Sequence, residues 1–345
     1  MRYNLLGDSD LNVSRVCLGT MTYSQDNTEA EAFAQLDYAF ERGVNFVDTA
    51  EIYPAPVNES LQGQTEAIIG RWMQQRGNRD KVILATKVAG PAEMTRFMRP
   101  DIHFDEANIR AAIEGSLERL QTDYIDLYQL HWPDRATNFF GQLNYTHAPQ
   151  HDGTAMLDTL KVLKALVDEG KVRYIGLSNE TPWGVMSFVK YAEILGLPKV
   201  VSVQNPYSLL NRSDEVGLTE VLLRENVPML PYSPLGFGVL SGKYLDEQWP
   251  EGARLTLYKQ FGRYIQPAGI SATRDYVNLA RQHGWDPAQM ALAYVDSRDF
   301  VASTIVGATQ MPQLEANIDA FDMRLSAELS EQLEALGKLH SNPCP

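Results

Sequence analysis

The chain has 345 residues, 44% of them apolar and 21% charged, which is enough to bury a large core and excludes a disordered composition. Acidic residues outnumber basic ones by 44 to 30, and the formal charge of −14 opposes the attraction that nucleic acid or an anionic membrane would exert. Two cysteines, Cys17 and Cys344, supply neither a disulfide framework nor a cysteine zinc site, and no signal-peptide core or bilayer-length apolar run is present; a soluble cytoplasmic protein is expected.

In chain order, a β-hairpin is expected within the first fourteen residues. Short runs rich in β-branched residues follow at Val16–Leu18, Val44–Val47, Val82–Ala85, Ile125–Leu130, Val172–Leu177, Val200–Val203, Val227–Leu230 and Ser303–Val306, giving eight predicted strands. Helical spacing separates them: Phe33, Leu36 and Phe40; Ile109, Ile113, Leu117 and Leu120; Leu157, Leu160, Leu163 and Val167; Leu314, Ile318 and Phe321. Strands alternating with helices imply parallel pairing through right-handed crossovers. Eight such units without a glycine/serine-rich or proline-rich linker predict an α/β fold, a single (β/α)8 TIM barrel over residues 1–345, with the N-terminal hairpin and an extra C-terminal helix. A doubly wound sheet would carry Gly-x-Gly-x-x-Gly at its dinucleotide turn. The nearest approach, Gly236-Phe-Gly238-Val-Leu-Ser-Gly242, has its third glycine one place late, and Lys243-Tyr244 fails the P-loop pattern.

Residues just past the C-terminal ends of barrel strands face the active site. Here they are Gly19-Thr20-Met21, Asp48 through Tyr53, Thr86-Lys87, His131-Trp132, Ser178-Asn179, Gln204-Asn205, Tyr232-Ser233 and Gly307-Ala308-Thr309. Asp48, Tyr53, Lys87 and His131 bring a carboxylate, a phenol, an ammonium and an imidazole, a set suited to proton transfer toward a carbonyl oxygen. Each alone has an ordinary alternative: a turn cap, a loop aromatic, a solvated strand end, a rim histidine. Lys87 is expected to lower the Tyr53 pKa, and Asp48 to hold Lys87 charged. From Ser233 to about Ile265 no sustained period appears, and so long a loop reads as a lid. It contains Gly236 and Gly238, where backbone can approach phosphate closely, and the cations Lys243 and Arg254, whose alternative is solvated surface charge. Thr309 and Pro312 suit the start of a helix whose N-terminus favours anions.

Gly19-Thr20-Met21, Asp48-Thr49-Ala50-Glu51-Ile52-Tyr53, Asp126-Leu127-Tyr128-Gln129-Leu130-His131, Gly170 through Asn179, and Tyr232-Ser233-Pro234-Leu235 together resemble the aldo-keto reductases over nearly the whole chain. Gln204 through Arg212 and the long aromatic loop after His131 look most like the Tas-like bacterial branch, near the potassium-channel β-subunit type. The resemblance implies a TIM barrel, NADPH, and reversible reduction of aldehydes and ketones, with Asp48, Tyr53, Lys87 and His131 on the catalytic tetrad. It further implies cofactor contacts at Thr20, Met21, Ser178, Asn179, Gln204, Tyr232, Ser233, Pro234, Leu235, Gly236, Gly238, Lys243, Arg254, Gly307, Thr309, Gln313 and Asn317. Of these, Ser178, Asn179 and Gln204 would take the carboxamide, and Tyr232 the ring. Ala316 stands where relatives often carry a glutamate. Tyr23 and Trp132 are candidate substrate-pocket residues, as are Phe139, Phe140 and Tyr145 in the loop from Trp132 to about Gly153; a second departure follows Tyr53, from Pro54 to Gly63. No metal is expected, six scattered histidines being a poor ligand set. The rival to an enzyme is an NADPH-holding, redox-sensing module with weak reductase activity.

Overall fold

A computed structural model describes all 345 residues. The opening strands β1 (Tyr3–Leu5) and β2 (Asn12–Ser14) form the expected antiparallel hairpin, with Tyr3 opposite Ser14. Seven parallel strands follow: β3 (Val16–Gly19), β4 (Phe46–Asp48), β5 (Ile83–Val88), β6 (Ile125–Leu130), β7 (Val172–Ser178), β8 (Val200–Gln204) and β9 (Thr304–Val306), hydrogen-bonded in the order β8-β7-β6-β5-β4-β3-β9.

The predicted seventh barrel strand, Val227–Leu230, is a correction. It forms no continuous ladder and instead makes isolated parallel bridges, Met229 to Val203 on one side and to Val301 on the other. Pro228 and Pro231 flank Met229 and Leu230, and each removes one N–H donor. Their carbonyls still accept from Val203 and Ile305, and Leu230 N–H donates to Val203 O at 2.8 Å, so this segment closes the (β/α)8 barrel as a seam.

Helices α1 (Glu29–Glu41), α2 (Gln64–Arg76), α3 (Glu106–Leu120), α4 (Met156–Asp168), α5 (Pro182–Leu195), α6 (Leu218–Arg224), α7 (Arg254–Leu257), α8 (Pro267–Gln282), α9 (Pro287–Asp296), α10 (Met311–Asp319) and the C-terminal α11 (Ala327–Leu339) surround the strands. Their starts follow capping chemistry. Thr28 and Glu31 form a reciprocal capping box on α1, and Asp105 and Thr181 accept first-turn N–H groups of α3 and α5. The apolar stripe Ile109, Ile113, Leu117 and Leu120 is buried, as its spacing predicts. No helix is long and apolar enough to cross a membrane.

Inside the barrel, side chains step by two along each strand. Phe46, Ala85 and Leu127 form a lower apolar layer, joined by Leu6, Leu11 and Val13 from the hairpin, which plugs the N-terminal end. Two residues further along the same strands stand Asp48, Lys87 and Gln129. The apolar floor therefore ends where the polar site begins.

Candidate active site

Lys87 is 0% exposed, and its Nζ donates to Asp48 Oδ2 and to Thr49 O, each at 2.7 Å. Asp48 Oδ1 accepts from Gln204 Nε2 at 2.8 Å and Gln129 Nε2 at 3.2 Å, which satisfies a carboxylate that has left water. Gln129 fits because β7 has Gly176 beside it: a Cβ there would lie 3.2 Å from Gln129 Cγ and 2.9 Å from Ser202 Oγ. Tyr53 sits on the loop after β4, half-buried, its ring centroid 4.9 Å from Lys87 Nζ and 5.7 Å from the edge-on His131 ring. The four residues of the predicted set converge.

The electrostatics differ from expectation at one point. Burial drives the Tyr53 phenol above its ordinary pKa; the Lys87 ammonium pulls it down in the expected direction but loses to desolvation. For Lys87, burial opposes the charge, and the Asp48 and Tyr53 oxygens outweigh it, so its pKa rises and it stays an ammonium. Burial, helped by Lys87, pushes His131 well below the usual histidine value, so the ring is neutral. Its Nδ1 has no hydrogen-bond partner.

Ser178, Asn179, Gln204 and Tyr232 form a frame around this centre. Ser178 Oγ donates to Gln204 O at 2.8 Å, Asn179 Nδ2 to His131 O at 2.9 Å, and the Tyr232 hydroxyl to Asn179 Oδ1 at 2.6 Å. Asn179 adopts a left-handed φ of 52°, which turns its amide back toward the barrel. The Asn179 amide, assigned from sequence to a ligand, is thus spent within the frame. Ser178 Oγ can still donate by turning, and Gln204 Oε1 makes no hydrogen bond. Thr20 Oγ1 donates to Asp48 O at 2.8 Å, and Met21 O accepts from Ala55 N–H at 3.0 Å, so both brace the Tyr53 loop.

The segment from Ser233 to Ile265 has short helical turns only, as its lack of period predicts, and Val239, Leu240, Leu255 and Tyr264 are buried in the core and anchor it. Ser233, Gly236, Phe237 and Gly238 have φ between 54° and 88°; with Pro234 and Leu235 they make a tight turn, in which a Cβ on Gly238 would lie 3.0 Å from Lys243 Nζ. Lys243 and Arg254 are half-buried and make no ion pair; burial lowers both their pKa values, and Arg254 further lowers that of Lys243. Arg254 rests 5.5 Å from the Phe237 ring. Asp26 acts on Arg254 from beyond ion-pair range, and two desolvated cations without a paired carboxylate leave positive charge that a bound anion would offset.

The N-terminus of α10 lies on the same side. Tyr258 donates from the lid to Asp26 Oδ1 at 2.5 Å, and Asn27 Nδ2 donates to Thr309 O at 3.0 Å, so one short loop bridges the two. Gln310 gives that helix no side-chain cap, Thr309 N–H and Oγ1 both lie 3.3 Å from Gln313 Oε1, and Asn317 is buried on the inner face. Gly307 passes close to β3, where a Cβ would meet Gly19 O at 3.1 Å.

On the substrate side, Tyr23 is a correction. It is 0% exposed within the main core and lines no open surface, because the turn after β3, closed by Tyr23 N–H to Thr20 O, folds it inward. Trp132 is also covered: its Nε1 donates to Pro91 O at 3.1 Å, and it packs against His131 at 4.9 Å, with Phe139 stacked at 6.4 Å and Phe140 edge-on at 5.7 Å. Tyr145 stands exposed beside His147, away from this cluster.

Three groups escaped the sequence reading: Gln129, and the buried carboxylates Glu51 and Glu180. Glu51 takes both terminal nitrogens of Arg99 and the Ala89 N–H, tying the loop after β4 to the loop after β5, and Glu180 pairs with Arg135, tying the loop after β6 to the connection between β7 and α5.

A family model described as the aldo/keto reductase family matches residues 15–338. Protein tas of Escherichia coli is 49% identical over 346 positions, covering 100% of both chains. The uncharacterised oxidoreductase YrpG of Bacillus subtilis is 33% identical, over 96% of this chain and 95% of its own. The norsolorinic acid reductase stcV of Emericella nidulans is 29% identical, over 94% and 78%.

Proposed function

The chain belongs to the aldo/keto reductase family of oxidoreductases, and on that premise we propose that it reduces aldehydes and ketones to alcohols with NADPH, with Tyr53 as general acid. The observation that carries this reading is the convergence of Tyr53, Lys87, Asp48 and His131 at one barrel mouth, beside two cations that lack acidic partners.

The residues present fit a dinucleotide phosphate. Lys243 and Arg254 would take phosphate oxygens, the turn at Gly238 admits close approach, and the α10 N-terminus favours a second negative group. Tyr232 offers a ring face, and Ser178 Oγ and Gln204 Oε1 offer a donor and an acceptor for a carboxamide. When bound, NADPH supplies a hydride to the carbonyl carbon.

Tyr53 Oη hands its proton to the carbonyl oxygen, and Lys87 stabilises the phenolate left behind. Asp48 keeps Lys87 fixed and charged. Neutral His131 donates one hydrogen bond to the same oxygen as negative charge develops there, while Trp132 and Phe139 shield that side from water.

Consumption of NADPH with 4-nitrobenzaldehyde tests the reading directly, by loss of reduced-nicotinamide absorbance. Bound cofactor without turnover would favour the redox-sensing module instead. The pH profile gives a separate check. Since His131 is held neutral, kcat/KM should show no step near 6.5, the ordinary histidine value, and a histidine-like inflection there would remove His131 from its assigned role. Arg254→Ala should weaken NADPH binding about ten- to hundredfold, the worth of a charge-assisted hydrogen bond of about 1.5–3 kcal/mol, with NADH much less affected. Fluorescence titration of both cofactors measures it.

A further inference from the structure

We propose that a cleft at the N-terminal end of the barrel, opposite the mouth that carries Tyr53, is a second binding site, for a small polyanion of phosphate chemistry. The cleft encloses about 660 Å³ between the hairpin, the C-terminal end of α9 and the connection from α10 to α11. Arg2, Arg15 and Arg324 gather on one carboxylate. Arg15 Nε lies 2.8 Å from Asp296 Oδ1, Arg324 Nη1 lies 3.7 Å from Asp296 Oδ2, and Arg2 is bonded to that same oxygen. With Arg298 and Asp299, four guanidinium groups line the cleft against two carboxylates. Only Arg298 has an acidic partner beyond it, Glu334 at 3.0 Å. On a chain of charge −14, this is a local excess of positive charge.

A purely structural role accounts for Arg15, whose side chain is 11% exposed and also donates to Val301 O at 3.1 Å. It does not account for Arg2 and Arg324, whose side chains are 44% and 57% exposed. Arg2 uses only Nη2 toward protein acceptors, reaching Phe321 O at 3.2 Å, and Arg324 uses only Nη1, reaching Phe321 O at 3.1 Å and Met323 O at 2.6 Å. On Arg324 the free Nε and Nη2 form one open edge of the planar fork, which matches paired phosphate oxygens, and on Arg2 the free Nε and Nη1 can each donate singly. With Glu334 counted, the four guanidinium groups face three carboxylates, and the remaining positive excess favours an anion that takes several N–H donors at once, as phosphate chemistry does.

Pro228, Val301 and Ala302 also line the cleft, and they belong to the seam that closes the barrel by isolated bridges. A ligand held there by the folded chain alone should brace the seam and raise the Tm.

The proposal stands apart from the cofactor reading, because the lid cations can be removed independently. Inorganic pyrophosphate is titrated calorimetrically at low ionic strength into K243A/R254A protein, and into the same protein carrying R2A/R324A as well. The first should bind one equivalent and gain Tm; the second should bind at least about tenfold more weakly and gain none. No binding by K243A/R254A protein, or undiminished binding after R2A/R324A, overturns the proposal. Arg324→Glu alone, at an exposed position, gives the same comparison should the fourfold variant fail to fold.

Discussion

Replacing Tyr53 by Phe is expected to lower carbonyl reduction roughly 10²–10⁴-fold, the usual worth of a general acid, while NADPH affinity changes by less than about twofold. The ring would keep its place against His131 and Lys87, since the contacts that seat it are made by the aromatic face and the loop backbone, Tyr53 N–H to Ala50 O at 3.1 Å and Gly63 N–H to Tyr53 O at 2.9 Å. Only the proton is lost. Burial holds the phenol above its ordinary pKa, so at neutral pH it is fully protonated and begins in the form that reduction needs. Transfer then leaves a phenolate beside the Lys87 ammonium. Opposite charges about 4 Å apart at an effective dielectric near 20 gain about 4 kcal/mol, which offsets a large part of the desolvation penalty but not all of it, so the phenol stays above its ordinary pKa. The lysine thus acts chiefly after the proton has moved. Steady-state kinetics and a cofactor titration on one preparation decide the matter: loss of cofactor binding in parallel with turnover would make Tyr53 a structural residue, and unchanged turnover would remove it as the acid.

The site was legible because barrel strands present chemistry at a fixed place. Once β4, β5 and β6 are recognised, the two-residue step puts Asp48, Lys87 and Gln129 on the interior, one layer above Phe46, Ala85 and Leu127. Gln129 could have been found by that same step, as an amide in an otherwise apolar strand interior. Tyr23 could not, since adjacency to Met21 in sequence says nothing about the turn that folds it inward. The run Val227–Leu230 has the apolar pattern of a strand, but its prolines deny it a continuous ladder. Pro228 and Pro231 were visible, and their missing donors predict the broken ladder that closes the barrel. The sign of the Lys87 effect on Tyr53 was also readable, but its magnitude against burial was not, because desolvation depends on how completely neighbouring loops exclude water. The buried pairs Glu51–Arg99 and Glu180–Arg135 join residues 48 and 45 positions apart, and no local pattern marks such partners.

The second large effect is on stability. Lys87→Met should destabilise the fold by about 3–5 kcal/mol, because it strands the Asp48 carboxylate in the barrel with only two amide donors, Gln129 and Gln204. Urea midpoints and Tm should both fall, and reduction should fall as well. Asp48→Asn supplies the complementary arm. Combined with Lys87→Met it removes both charges and retains an amide for the neighbouring glutamines, so much of the lost stability should return, and the coupling energy of the double-mutant cycle should be large. Activity should not return with it, because the phenolate would still lack its counter-charge. Recovery of stability without recovery of turnover separates what the ion pair does for the barrel from what it does for Tyr53; recovery of both would mean that Lys87 serves the reaction only by holding the fold.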